Sequence, residues 1–339
     1  MISSEQQLED LLSEPSQADA RAMEGMEGDL IILGVAGKMG PSLARRARRA
    51  CDLAGVKKRI IGVARFSEPA VREGLDAAGI ETVSADLLAP GALASLPDVP
   101  NVLHMAARKF GSTGAEHLTW AMNTLLPALV AERYPRARIV AFSTGNVYPL
   151  VLAAEGGATE DLCPAPVGEY AQSALGRERI FEFFSLRNQT PMVMLRLNYA
   201  IDLRYGVLLD IGQKVFERRP VDVTMGHVNV IWQGDANSIA LRSFKLCQSP
   251  LGVLNVTGPE IAPVRWIAQQ FGNRFGIEPV FQGTEADTAL LSNAARCHRL
   301  FGRPAVKIDQ MIEWVAEWIR MGGATLAKPT HFETRDGRF

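Results

Sequence analysis

The run Asp29-Leu30-Ile31-Ile32-Leu33-Gly34-Val35-Ala36-Gly37-Lys38-Met39-Gly40 constrains this chain more than any other stretch. A short apolar segment ends in three glycines at three-residue spacing, and a helix-forming sequence follows. The pattern predicts a strand, a tight turn and a helix start. Gly34 and Gly37 suit a turn that needs positive φ, and they omit the Cβ atoms that would hold a dinucleotide pyrophosphate away from the amides of a helix N-terminus. Gly40 lets the helix pack closely on the strand. Three glycines alone also describe an ordinary βα turn, so the rest of the chain must decide between the two readings.

With 339 residues the chain can bury the core of one large domain or two. A net charge of −1 argues against a nucleic-acid-binding or membrane-surface protein, since both carry a basic excess. The local basic run Arg45-Arg46-Ala47-Arg48-Arg49 reads as a solvated helix face, with an anion site as the alternative. Cys51, Cys163, Cys247 and Cys297 lie far apart, which suggests neither a zinc site nor a disulfide framework and fits a reducing compartment. No apolar run approaches the ~20 residues of a membrane span. The acidic N-terminus lacks the pattern of a secretory signal, so the cytoplasm is the expected location.

Residues 1–27 read as an N-terminal helical appendage, with a capped helix over Ser4–Leu12 ended by Pro15. Packing against its own domain is expected, and a partner surface is the alternative. From Asp29 onward strands and helices alternate. Strands are predicted over Leu30–Leu33, Arg59–Val63, Glu81–Val83, Asn101–Met105, Arg138–Ser143 and Met192–Leu197, with helices over Gly40–Leu53, Pro69–Ala78, Gly114–Arg133 and Val167–Arg187. This rhythm predicts an α/β fold, a doubly wound parallel Rossmann-type sheet over 28–197, with its ligand crevice at the carboxyl ends of the strands. The rhythm then loosens. Residues 198–225 and 259–323 are read as a smaller C-terminal substrate-binding region, with segments near 226–258 returning to the dinucleotide-binding domain. A closing amphipathic helix is predicted over Ile308–Arg320, and the polar tail 324–339 is expected to be disordered, with a lid or a subunit contact as alternatives.

In an NAD enzyme, a carboxylate about 20 residues beyond the glycines holds the adenosine ribose. Here Ile60-Ile61-Gly62-Val63 runs into Ala64-Arg65-Phe66-Ser67 instead. The Arg65 guanidinium suits a 2′-phosphate and Lys38 adds a second charge, so NADP is favoured over NAD. An Arg65 that merely stacks on adenine at a solvated strand end leaves either cofactor open.

The ordered stations beyond the glycines resemble those of the extended short-chain dehydrogenase/reductase superfamily, in its nucleotide-sugar epimerase and dehydratase branch, over roughly residues 29–318. Gly34, Gly37 and Gly40 match its G-x-x-G-x-x-G, with Lys38 and Met39 inside the turn. Asp86-Leu87 stands where the family's Asp contacts adenine. His104-Met105-Ala106-Ala107 is similar to its H-x-A-A, and Asn123 falls where it places a helical Asn. The segment from Phe142 to Tyr148 resembles S-[ST]-x-x-V-Y, with Thr144 as the matching hydroxyl and Asn146 beside it. Tyr170 matches the family's acid–base Tyr, and Arg196-Leu197-Asn198 resembles R-x-x-N, one residue short, whose Asn contacts substrate. The resemblance implies hydride transfer at a secondary alcohol of a sugar, nucleotide sugar or sugar acid, no metal, and a homodimer formed through the helices that carry Asn123 and Tyr170.

One position departs sharply. The family places Lys four residues after Tyr, whereas this chain reads Tyr170-Ala171-Gln172-Ser173-Ala174. A phenol that ordinarily titrates near 10 must be brought down to roughly 7 to act at neutral pH, which takes about 4 kcal/mol of differential stabilisation. Ala174 supplies none of it. Arg177 lies ~10 Å further along the helix axis, out of reach unless its side chain folds back. Lys109, past the Ala106-Ala107 strand end, is the expected substitute cation, and a surface lysine in the loop Arg108–Gly114 is the alternative. Arg204 suits a substrate carboxylate or phosphate, or else a structural salt bridge. A catalytically impaired NAD(P)-binding sensor or scaffold is the rival to an enzyme.

Overall fold

The computed structural model describes residues 2–109, 114–328 and 330–337. Seven strands, β1 (Leu30–Leu33), β2 (Ile60–Ala64), β3 (Glu81–Ser84), β4 (Asn101–His104), β5 (Arg138–Thr144), β6 (Met192–Leu197) and β7 (Gly252–Val256), form one sheet in the order β3-β2-β1-β4-β5-β6-β7. Every pairing in it is parallel. Strands such as β1 and β4 are buried along their whole length, which is why they read as continuous apolar runs rather than alternating ones. Strand order reverses direction at β1, whose neighbours are β2 and β4. That switch point opens a crevice at the carboxyl ends, where Leu33, Val63, His104, Thr144 and Leu197 stand at one sheet edge.

Helices α1 (Glu5–Leu12) and α2 (Gln17–Glu24) precede the sheet, and α3 (Gly40–Ala54) and α4 (Pro69–Ala77) follow β1 and β2. The helix expected over Gly114–Arg133 begins at Glu116 and is interrupted: α5 (Glu116–Trp120) passes through a π-helical turn, Ala121–Leu125, into α6 (Leu126–Arg133). Helix α7 (Gly168–Asn188) leads into β6. Residues 110–113 of the loop before Gly114 lie outside the described residues.

In the remainder, α8 (Val207–Phe216), α10 (Val264–Phe275) and α12 (Ile308–Arg320) build a second core around Val207, Phe271, Trp232 and Ile312, while α9 (Gln233–Arg242) and α11 (Ala295–Phe301) pack into the sheet's core through Ala240 and Cys297. The segment returning over 252–256 becomes the sheet's seventh strand, with Val256 beside Leu197.

Two expectations are corrected here. The basic run on α3 is not a solvated face. Arg46 is buried, donating to Asp19 at 2.7 Å, while Arg45 pairs with Glu9 at 2.8 Å and Arg49 donates to the Asp10 carbonyl. These charges clamp the two N-terminal helices onto α3. Helix α2 is not among the expected elements, although Ser16 and Asp19 spell a capping box that the structure forms in both directions. The tail is not disordered over its described residues: Phe332 is buried in the second core, Leu326 N donates to the Arg204 carbonyl, and Thr330 N and Oγ1 donate to Asp210 Oδ2. An aromatic anchor hidden in a polar stretch outweighs its composition. Among the described residues, no helix is long and apolar enough to cross a membrane.

Candidate active site

The glycine turn is held by its own backbone. Gly34 has φ +89°, and a Cβ there would lie 2.6 Å from the Ala106 amide nitrogen. A side chain at Gly40 would collide with the Val35 backbone, so the helix must start against the strand at this point. Gly37 differs: a Cβ on it would meet only the Gly34 carbonyl, because its other side opens on a cleft. That cleft has a volume of about 660 Å³. Met39, Arg65, Asp86, Leu87, Ala106 and Ala107 line one end of it, and Arg65 and Asp86 sit exposed at its rim.

Lys38 is engaged by the C-terminal region. Its Nζ donates to the Ala200 carbonyl at 2.8 Å and lies 4.9 Å from the centre of the Tyr205 ring, so it pins the turn to the C-terminal region. Burial lowers its pKa to about 8, against the pull of Asp202.

At the other end of the cleft, β5 finishes on Thr144. The Asn146 amide donates to Thr144 Oγ1 at 3.2 Å, and Thr144 is hydrogen-bonded to the Tyr170 hydroxyl from the first turn of α7. Burial raises the Tyr170 pKa above its ordinary value, and Arg177 and the Thr144 bond oppose that rise. Lys109 Nζ lies 5.9 Å from the centre of the Tyr170 ring, and burial brings its own pKa down to about 8.

The π-helical turn explains how Asn123 enters this end. One extra residue per turn re-aims a side chain without breaking the helix. Asn123 Oδ1 accepts from Arg108 N at 3.0 Å and from Arg177 Nη2 at 2.8 Å. Its Nδ2 donates to the Arg108 carbonyl and to Ser173 Oγ, which in turn donates to the Tyr170 carbonyl at 2.9 Å. One buried amide thus ties the segment after β4 to the helix that carries Tyr170.

Other expected residues lie elsewhere. Asn198 is buried in the cleft wall, its amide donating to Asn229 Oδ1 at 2.8 Å. Arg204 pairs with Asp202 at 3.2 Å and Glu9 at 2.7 Å and lines a separate pocket of about 200 Å³, which is the structural salt bridge rather than a position facing the cleft. Ala174 is fully buried against Val147, Tyr148 and Ala158, so its side of the helix is filled by packing. The tail contributes Leu326, Lys328 and Thr330 to the cleft lining.

Two features escape sequence reasoning. Arg177, too distant by helix geometry alone, does fold back: helical side chains lean toward the N-terminus, and this one reaches the cleft wall with Nη1 donating to the Phe142 carbonyl at 2.7 Å. Beneath it, Glu178 accepts from Arg196 at 2.6 Å and from Ser143 at 2.5 Å, while Arg196 Nη1 donates to the Tyr148 hydroxyl at 2.7 Å. Only the neighbouring Arg177-Glu178 pair, polar on an inward helix face, signals either.

The fold is a Rossmann-type α/β fold shared with sugar-nucleotide epimerases and dehydratases of known structure. No protein-family model and no curated sequence matches the chain. Solved structures match it over most of its length. They include UDP-glucose 4-epimerase from Thermotoga maritima with UDP-glucose, at TM-score 0.70 and 16% identity over 87% of this chain and 99% of that one. UDP-glucuronic acid 4-epimerase from Bacillus cereus, in complex with UDP-glucuronic acid and NAD, matches at TM-score 0.71 and 18% identity over 86% and 99% of the two chains. dTDP-glucose 4,6-dehydratase from Bacillus anthracis in complex with NAD matches at TM-score 0.71 and 16% identity, over 86% and 96%. The expectation of NADP over NAD is corrected by these neighbours, which hold NAD. The physical reason is local: Lys38, one of the two charges assigned to a 2′-phosphate, is committed to the Ala200 carbonyl.

Proposed function

We propose that this chain is an NAD-dependent oxidoreductase or epimerase that acts at a secondary alcohol or carbonyl of an acidic sugar or nucleotide sugar. The observation that carries the reading is the hydrogen-bonded pair Thr144 and Tyr170 at one end of a cleft whose other end is the glycine turn. The residues present fit the dinucleotide: the Gly34 turn leaves backbone at the cleft surface, and small Ala106 and Ala107 let a flat ligand lie against the end of β4. NAD, when bound, supplies a ring that accepts or returns a hydride. Asp86 and Arg65 would hold its adenosine end and Lys109 would face its other end. Thr144 would orient the reacting oxygen, and Tyr170 would give or take its proton.

Charge supports an anionic substrate. Lys38, Arg65, Arg108, Lys109, Arg177 and Lys328 line the cleft against one carboxylate, Asp86. A dinucleotide pyrophosphate balances only part of that excess. A sensor that binds NAD without turnover is the second reading, and the raised Tyr170 pKa favours it.

The test is to analyse the purified protein for bound nicotinamide and to follow reduced-cofactor absorbance with a panel of neutral sugars, sugar acids and nucleotide sugars. Turnover with an acidic member supports the enzyme. Tight NAD binding with no turnover on any member supports the sensor, and absence of NAD binding rejects both.

A homodimer through α5, α6 and α7 belongs to the same proposal. Leu125 is 53% and Phe183 54% exposed, with Trp120 and Leu186 beside them, an apolar face suited to a second copy. A sedimentation measurement that finds a monomer unaffected by Phe183→Glu would remove it.

A further inference from the structure

A buried guanidinium without a carboxylate partner is costly, and proteins keep one only where something compensates. Arg177 is such a group. It is 3% exposed, and among the described residues no carboxylate lies within ion-pair distance of it. Its two bonded nitrogens donate to neutral acceptors, the Phe142 carbonyl and Asn123 Oδ1, and Nε has no hydrogen-bond partner. Glu178, next in sequence, is engaged by Arg196 and Ser143.

Tyr170 and Arg177 stand seven residues apart, nearly the same direction around α7, and both line the cleft. The Arg side chain leans back along the axis toward Tyr170, which shortens the ~10 Å between their backbones. We infer that Arg177 is the cation that sets the Tyr170 phenol, filling from one turn further along the helix the electrostatic place that Ala174 leaves empty. This rests on the enzymatic reading of the site.

The charged and titratable groups facing Tyr170 are Lys109 from the segment after β4, Tyr205 from the segment before α8, and Arg177 on its own helix. Arg177 also faces His104, which is buried against Phe181 and held neutral, its pKa brought down to about 3 by burial and by Arg177. Lys109 is the weaker candidate. It sits over the ring face, is drawn to Asp210, and loses its charge above about pH 8. Burial lowers the Arg177 pKa, but from an ordinary value far above that of Lys109, and the guanidinium is fixed by two hydrogen bonds. Because it acts through Tyr170 and Asn123, it is a positioning residue. Burial of the phenol outweighs this pull, so Arg177 offsets that penalty rather than abolishing it.

The experiment is a titration of the Tyr170 ring by NMR in protein carrying ζ-13C tyrosine, with Tyr170→Phe assigning the signal. The wild-type midpoint should fall ~1–3 pH units below that of Arg177→Met. Arg177→Lys should lie between them, and Lys109→Met should shift it less than Arg177→Met does. If Arg177→Met does not fold, Arg177→Gln carries the same comparison. Coincident curves overturn the inference, including a signal that stays protonated to pH 11 in both proteins, as does a shift produced by Lys109→Met alone. The titration needs neither bound NAD nor turnover. Coincident curves in a protein that turns over therefore sink this inference alone, whereas a wild type that binds no NAD sinks the proposed function.

Discussion

The two ends of the cleft are made by different means. The glycine end is one contiguous stretch shaped by backbone: Gly34, Gly37 and Gly40 are selected because any side chain there would strike Ala106, fill the cleft or strike Val35. The Tyr170 end is assembled from side chains on β5, α7, the π-helical turn, the segment after β4 and the tail. Local geometry builds the first and long-range hydrogen bonds build the second. The first is closed to side chains at Gly34 and Gly40, whereas the second depends on which side chains reach one another.

Substitutions at each end test this contrast. Tyr170→Phe removes one hydroxyl and should lower kcat on the active sugar by about 10²–10⁴-fold, while NAD affinity, read by fluorescence titration, stays nearly constant. An equal loss in NAD affinity would mean that the two ends are not separable. Glu178→Ala should cost about 3–5 kcal/mol in urea unfolding, because it leaves Arg196 buried without its carboxylate. Gly34→Val should cost about 3 kcal/mol from positive φ and the clash with the Ala106 backbone, and NAD binding should fall with it.

A smaller effect comes from pH. Lys38 titrates near 8 when folded and near 10.5 when unfolded, so between those values the unfolded chain binds more protons. Stability therefore rises with pH across that window in the wild type, and Lys38→Met should flatten the rise in unfolding curves taken at pH 8 and 10. The smallest effect is expected from Arg65→Ala. Arg65 is exposed at the rim, so NAD affinity should change only a few-fold.

Much of the first end is legible in the sequence. Strands β1 and β6 and helix α12 fall where the apolar periodicity puts them, residue for residue. Fully buried parallel strands must be apolar throughout, and an amphipathic helix must repeat every 3.6 residues. Thr144, Asn146 and Tyr170, named from the family resemblance, and Lys109, named as the substitute cation, do meet in one cleft. The basic run on α3 and the tail mislead because both depend on partners distant in sequence: Asp19 buries Arg46, and the second core takes up Phe332.

By itself, then, the sequence determined the parallel sheet and the glycine turn, since these follow from periodicity and sterics, while the polar residues at the strand ends were named through the family resemblance. Tertiary structure alone decided where the charges go. It engaged Lys38 at the Ala200 carbonyl, committed Arg204 to Glu9 and Asp202, and bent Arg177 back to the Phe142 carbonyl at the cleft wall. The physical reason is that a charge acts according to its distance from other charges and from water, and long side chains reach partners that spacing along the chain cannot reveal.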